Sequence, residues 1–131
     1  MNKLLLLLTM LFCHIVDDYY LQGILASMKQ KSWWQEHYPN KMYKYDYFVA
    51  LIEHAFSWTF MIMLPIIVYS YLFDKSIEAL SFLIVFITNT IWHAYVDNLK
   101  ANKKEISLVT DQSIHFFQIF ITWLSYIILL R

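Results

Sequence analysis

Four stretches of the chain, residues 3–25, 47–72, 77–99 and 111–130, are apolar over a length close to or beyond that of a membrane crossing. An α-helix needs about 20 apolar residues to cross a hydrocarbon layer ~30 Å thick. A backbone in lipid must satisfy its own hydrogen bonds, which leaves helices as the natural spanning form. The sequence therefore predicts an all-α fold, a single integral membrane domain over residues 1–131, arranged as a four-span transmembrane helix bundle that runs up-down-up-down. Composition agrees: 60% of the residues are hydrophobic and 19% aromatic, with one Gly and two Pro, unlike a soluble domain of this size. Pro65 is expected to kink the second stretch, because proline removes a donor and crowds the preceding turn. Lys3 and the five leucines after it imitate a signal peptide. No small-x-small cleavage motif follows, so the run reads as a retained first helix.

The connections set the expected orientation. Residues 26–46 mix lysines with Trp33, Trp34, Tyr38, Tyr43 and Tyr45, and Trp and Tyr favour the headgroup level, so this segment reads as an interfacial connection between spans one and two. Four spans place Lys29, Lys31, Lys41, Lys44, Lys100, Lys103 and Lys104 on one side, against Lys3, Lys75 and Arg131 on the other. The positive-inside rule then predicts a multi-pass protein of the cell's inner membrane with both termini outside the cytoplasm. Ten basic and ten acidic residues cancel, so net charge points to no acidic partner. Nucleic acid is not an expected partner either, because the lysines lie in connections rather than along a polar face. Cys13, the single cysteine, excludes an intramolecular disulfide. The sequence leaves the oligomeric state open, a homo-oligomer included.

Against this apolar background stand three His/Asp pairs at helical spacing: His14 with Asp18, His93 with Asp97, and Asp111 with His115. An ionisable group near the bilayer centre costs about 2.5–3.5 kcal/mol on insertion scales, so such residues face a shared polar interior. With alternating spans, all three pairs and His54 arrive at the lysine-rich, cytoplasmic end of the bundle. Residues i and i+4 share a helix face about 6 Å apart along the axis, so two such side chains can reach one cation, as in His- and carboxylate-bearing bundle sites. The expected metal ligands are His14, Asp18, His54, His93, Asp97, Asp111 and His115. Four imidazoles and three carboxylates suit one or two divalent ions, with zinc, manganese or iron favoured over calcium. The alternative is a set of His–Asp hydrogen bonds that hold helices together without metal. Gln22 and Gln112 are candidate supporting donors. Helical geometry turns Asp17 and Glu53 about 100° from their ligand neighbours. His37 is expected at the surface, and Lys29 is expected to snorkel towards headgroups.

The strings His14-Ile-Val-Asp-Asp18-Tyr-Tyr-Leu-Gln22, His93-Ala-Tyr-Val-Asp97-Asn-Leu-Lys100 and Asp111-Gln112-Ser-Ile-His115 resemble the signatures of a family of small bacterial and phage membrane proteins, the domain of unknown function 3307. Its pattern is H-x3-D-[FY]-x-L-Q, a lysine, a histidine opening the second span, H-x3-D-x2-K and D-Q-x2-H. Lys29 and His54 match the middle elements, and Asp17 before Asp18 is the main departure. The resemblance implies a multi-span helical membrane protein. A looser similarity, at the level of fold analogy, connects the chain to membrane-bound metal-dependent hydrolases.

The function expected from these residues is metal-dependent hydrolysis of a phosphoester or lipid-like substrate at the cytoplasmic membrane face, with His54, Asp111 and Lys100 as catalytic groups. Two other readings use the same residues: a carrier of metal ions or protons, and a non-enzymatic phage or host-defence membrane factor with a structural metal.

Overall fold

The computed structural model describes residues 3–73 and 76–128. Lys75 and Arg131, counted above for the far side, and residues 129–130 of the fourth stretch lie outside the described residues. Within them the regular structure is entirely helical, and each helix follows from local signals. Helix α1 (Lys3–Val16) is built on the leucine run and passes directly into a π-helical turn, Asp17–Leu21. Gly23 then takes a left-handed φ of +49°, a conformation costly for residues with a Cβ, and the chain breaks direction. The first long apolar helical segment therefore ends at Leu21, short of the expected residue 25.

Two short helices follow, α2 (Leu25–Met28) and α3 (Lys31–His37), and then a 3-10 turn, Lys41–Tyr43, whose Asn40 side chain accepts from the Met42 amide. The aromatic rings of this connection pack on one another: Trp33 meets Trp34 edge-on at 5.0 Å, and Trp34 stacks on Tyr43 at 6.3 Å. His37 is exposed, as expected, and stacks on Trp33.

Helix α4 (Asp46–Leu72) runs unbroken through the buried Pro65. Glu78 caps α5 (Ala79–Asn98), its carboxylate accepting from the amides of Leu80 and Ser81. A second π-helical turn, Leu99–Lys103, extends α5 until Lys104 adopts a left-handed φ of 58° and ends it. Helix α6 (Leu108–Ile128) starts one turn earlier than residue 111, with the Ser107 hydroxyl accepting from the Thr110 amide.

The long helices close into a ring, since α1 packs on α4, α4 on α5, α5 on α6 and α6 on α1. Three helical segments, Lys3–Leu21, Lys41–Leu72 and Ala79–Lys103, are long and apolar enough to cross a membrane by length and composition. Helix α6 is long enough, and over its described residues, Leu108–Ile128, it is not among them.

Burial is inverted relative to a water-soluble bundle. Phe12, Ile91 and Phe117 are more than 60% exposed, whereas His14, Asp17, His93, Asp111 and His115 are fully buried. An outer surface rich in large apolar side chains marks a surface made for something other than water. The interior has two levels. One is an apolar core of Leu6, Met10, Ile62, Met63, Ile66 and Ile119, with Trp58 at its border. The other is the polar cluster described next.

Candidate metal centre

Each helix delivers its polar residues to one place. The three i,i+4 pairs are in contact: His14 Nδ1 lies 3.6 Å from Asp18 Oδ2, His93 Nε2 3.8 Å from Asp97 Oδ1, and His115 Nε2 3.3 Å from Asp111 Oδ1. Helical spacing alone accounts for these distances. The contacts between helices are what make a centre. His54 Nε2, on α4, lies 3.2 Å from His93 Nε2, 3.4 Å from Asp97 Oδ2 and 3.5 Å from Asp18 Oδ1. Asp97 uses both oxygens, since its Oδ1 is 3.3 Å from His115 Nε2.

These separations fit a cation. Four ligand atoms held tetrahedrally at 2.0–2.1 Å from an ion are roughly 3.3 Å from one another, close to the values above. Two overlapping groups satisfy the geometry, Asp18–His54–His93 and His93–Asp97–His115, each with its ligand atoms within 4.8 Å of one another. The hydrogen-bond inventory points the same way. Asp18 Oδ1, which faces His54 Nε2, is buried without a hydrogen-bond partner among the described residues, whereas buried polar atoms are nearly always paired. The buried His and Asp side chains can thus hold a metal ion.

Of the seven expected ligands, five fall in these two groups. His14 does not. Its Nδ1 accepts from the Trp58 indole N–H at 2.7 Å, and its Nε2 lies 3.0 Å from Gln112 Oε1. The Gln112 amide nitrogen donates to Asp18 and Asp111, so its oxygen is the end facing His14, and the imidazole must donate there. Both ring nitrogens of His14 are thus engaged by protein partners. Asp111 also stands outside both groups; its Oδ2 accepts from Lys100 Nζ at 2.7 Å, and its Oδ1 lies 3.3 Å from His115 Nε2.

Four residues outside the expected ligand set join the centre. Asp17 is fully buried and accepts from the Ser57 hydroxyl at 2.7 Å, with its Oδ2 3.9 Å from His54 Nδ1. Asp17 stands three residues after His14 and Asp18 four, so both lie near the helix face that His14 presents. Lys29 does not snorkel outward. Its side chain is 12% exposed, with Nζ 2.6 Å from Asp97 Oδ2 and 3.1 Å from Gln22 Oε1. Asn102 holds it there by donating to the Lys29 carbonyl and accepting from the Lys31 amide. Trp58 stacks on His93 at 4.1 Å, and His93 on His115 at 4.2 Å. The signals available in the sequence were the doubled aspartate and the spacing of Ser57 and Trp58, three and four residues after His54. Glu53 is exposed on the outer face of α4.

The chain matches no family model, no curated protein and no solved structure. The likeness to domain of unknown function 3307 rests on the motifs themselves.

Proposed function

We propose that this chain is an integral membrane protein, a four-span up-down-up-down helix bundle, that holds a divalent metal ion near the cytoplasmic membrane face and acts as a metal-dependent hydrolase on a phosphoester or lipid-like substrate. The observation that carries the reading is the meeting, around His54 Nε2, of side chains from α4, α5 and the π-helical turn after α1, at separations of 3.2–3.5 Å. The apolar outer surface and the lysines gathered in the connections beside the cluster support the membrane setting and its orientation.

Asp18, His54, His93, Asp97 and His115 are the proposed ligands. Imidazole and carboxylate together favour zinc, manganese or iron. One ion is favoured over two by charge. With neutral imidazoles, the carboxylates of Asp17, Asp18, Asp97 and Asp111 set against the ammoniums of Lys29 and Lys100 leave two negative charges in a buried site. Buried charge is tolerated when it is compensated, and one divalent ion compensates it.

A divalent ion in such a centre supplies electrophilic activation of a phosphoryl or acyl group. The chain's own residues supply the rest. The Lys100 side chain, 35% exposed, is the cluster's most open cation and is held by Asp111, so it is placed to meet an anionic headgroup. Asp111 Oδ1 carries no hydrogen bond and is the acceptor available for a proton from water. A carrier of ions would need histidines or carboxylates beyond the cluster, and among the described residues the buried ones all belong to it.

Elemental analysis of protein purified without chelators and reconstituted with metal tests the reading. One equivalent of metal per chain is expected. His93→Ala should lose it, while Asp111→Ala should retain it and lose turnover of a phosphoester lipid. Absence of stoichiometric metal from the wild type would overturn the proposal.

A further inference from the structure

A groove of about 300 Å³ lies between α5 and α6, walled by Ile84, Trp92, Phe117 and Ile121 and running from Gln118 to Ser125. We infer that it is a binding site for a single lipid chain whose polar head reaches the His/Asp cluster; the position of the head rests on the function proposed above.

The dimensions choose the occupant. Gln118 to Ser125 is seven residues of α6, about 10 Å of helix, so the stated volume leaves a cross-section of roughly 30 Å². A helix of a second copy, about 10–12 Å across with its side chains, does not fit within it as a whole. A single hydrocarbon chain does. The walls are also apolar and open outward, Phe117 being 64% and Trp92 51% exposed, which disfavours water as the resident.

One end of the groove lies on the helix faces that carry the proposed centre. Asn89 stands one helical turn before His93 on α5, and Gln118 stands three residues after His115 on α6, so both share the faces that carry the cluster. Its polar floor is a closed network with one gap. The Gln118 amide donates to the Asn89 carbonyl and side-chain oxygens at 2.9 and 2.8 Å, and Asn89 donates to the Thr122 hydroxyl at 2.9 Å. Gln118 Oε1 makes no hydrogen bond, although Gln118 is only 7% exposed. A buried acceptor at the cluster end of an apolar groove suits a chain that carries a hydroxyl or amide donor where it joins its head.

The test uses the full chain in vesicles containing a monoacylglycerol with a photoactivatable diazirine in its acyl chain. After illumination, labelled peptides and metal content are measured on the same samples. The wild type should label at α5 and α6 residues of the groove. Ile121→Trp, a change at a 44% exposed position, should lose most of that labelling with metal content unchanged, and Gln118→Leu should weaken it. Phe12→Trp, on an outer face away from the groove, should label as the wild type does. Labelling spread evenly over the outward faces, or unaffected by Ile121→Trp, would overturn the inference, as would cross-links between copies at the groove. Groove labelling in a protein without metal would leave the chain site standing and remove the metal reading.

Discussion

Asp17 acts on the centre through another residue. Ser57 fixes one of its oxygens, and the other lies 3.9 Å from His54 Nδ1, beyond hydrogen-bond reach but close enough for its negative charge to favour a cation at that imidazole. Replacing it with asparagine keeps the shape and removes the charge. Asp17→Asn is therefore expected to weaken metal binding about 10–100-fold, measured by competition against a chromophoric chelator, with Ser57→Ala acting in the same direction and less strongly. Equal affinities in Asp17→Asn and wild type would refute this role. At this scale the sequence was informative where geometry is local. The pairs His14/Asp18, His93/Asp97 and Asp111/His115 meet because residues four apart on any helix meet. It was uninformative for Asp17, whose partners Ser57 and His54 lie on another helix, and for His14, whose availability depends on a tryptophan from another helix.

Among the elements, the connection between α1 and α4 departs most from expectation. A segment read as a passive interfacial linker returns into the cluster because Gly23 breaks the helix and Asn102 ties the backbone at Lys29 and Lys31 to the end of α5. This delivers one ammonium to Asp97 at 2.6 Å. Removing one partner of a buried ion pair costs about 3–5 kcal/mol, because the remaining charge is left uncompensated. Lys29→Met should lower the stability of metal-free protein by about that amount, seen as an earlier thermal transition. Added divalent metal should recover a larger share of the loss in this variant than it adds to the wild type, since the site then carries one more negative charge. A Lys29→Met transition unchanged with and without metal would exclude this account. Aromatic composition indicated where the connection lies; it carried no signal that one of its lysines turns inward.

For the molecule as a whole, the interior is a layer of ionisable groups beside a layer of hydrocarbon, and the two have opposite needs. The apolar layer is held by packing among Leu6, Met10, Ile62, Met63, Ile66 and Ile119. The polar layer brings together carboxylates whose mutual repulsion a cation relieves. Metal binding and stability are then one equilibrium. At free metal about 100 times its dissociation constant the folded state gains about 2.7 kcal/mol, so a strong chelator should lower the thermal transition and a divalent ion in excess should restore it. A transition indifferent to both would count against a metal in this centre. The sequence by itself determined the helical class, the approximate extents of the long helices and the gathering of the His/Asp pairs, because helix length, apolar run and i,i+4 spacing are properties of local chain geometry. Only the tertiary structure decided which atoms face one another: His54 among Asp18, His93 and Asp97, His14 taken up by Trp58 and Gln112, and Asp17 and Lys29 turned inward. Those outcomes depend on how each helix is rotated against its neighbours, which side-chain packing sets and no spacing along one segment encodes.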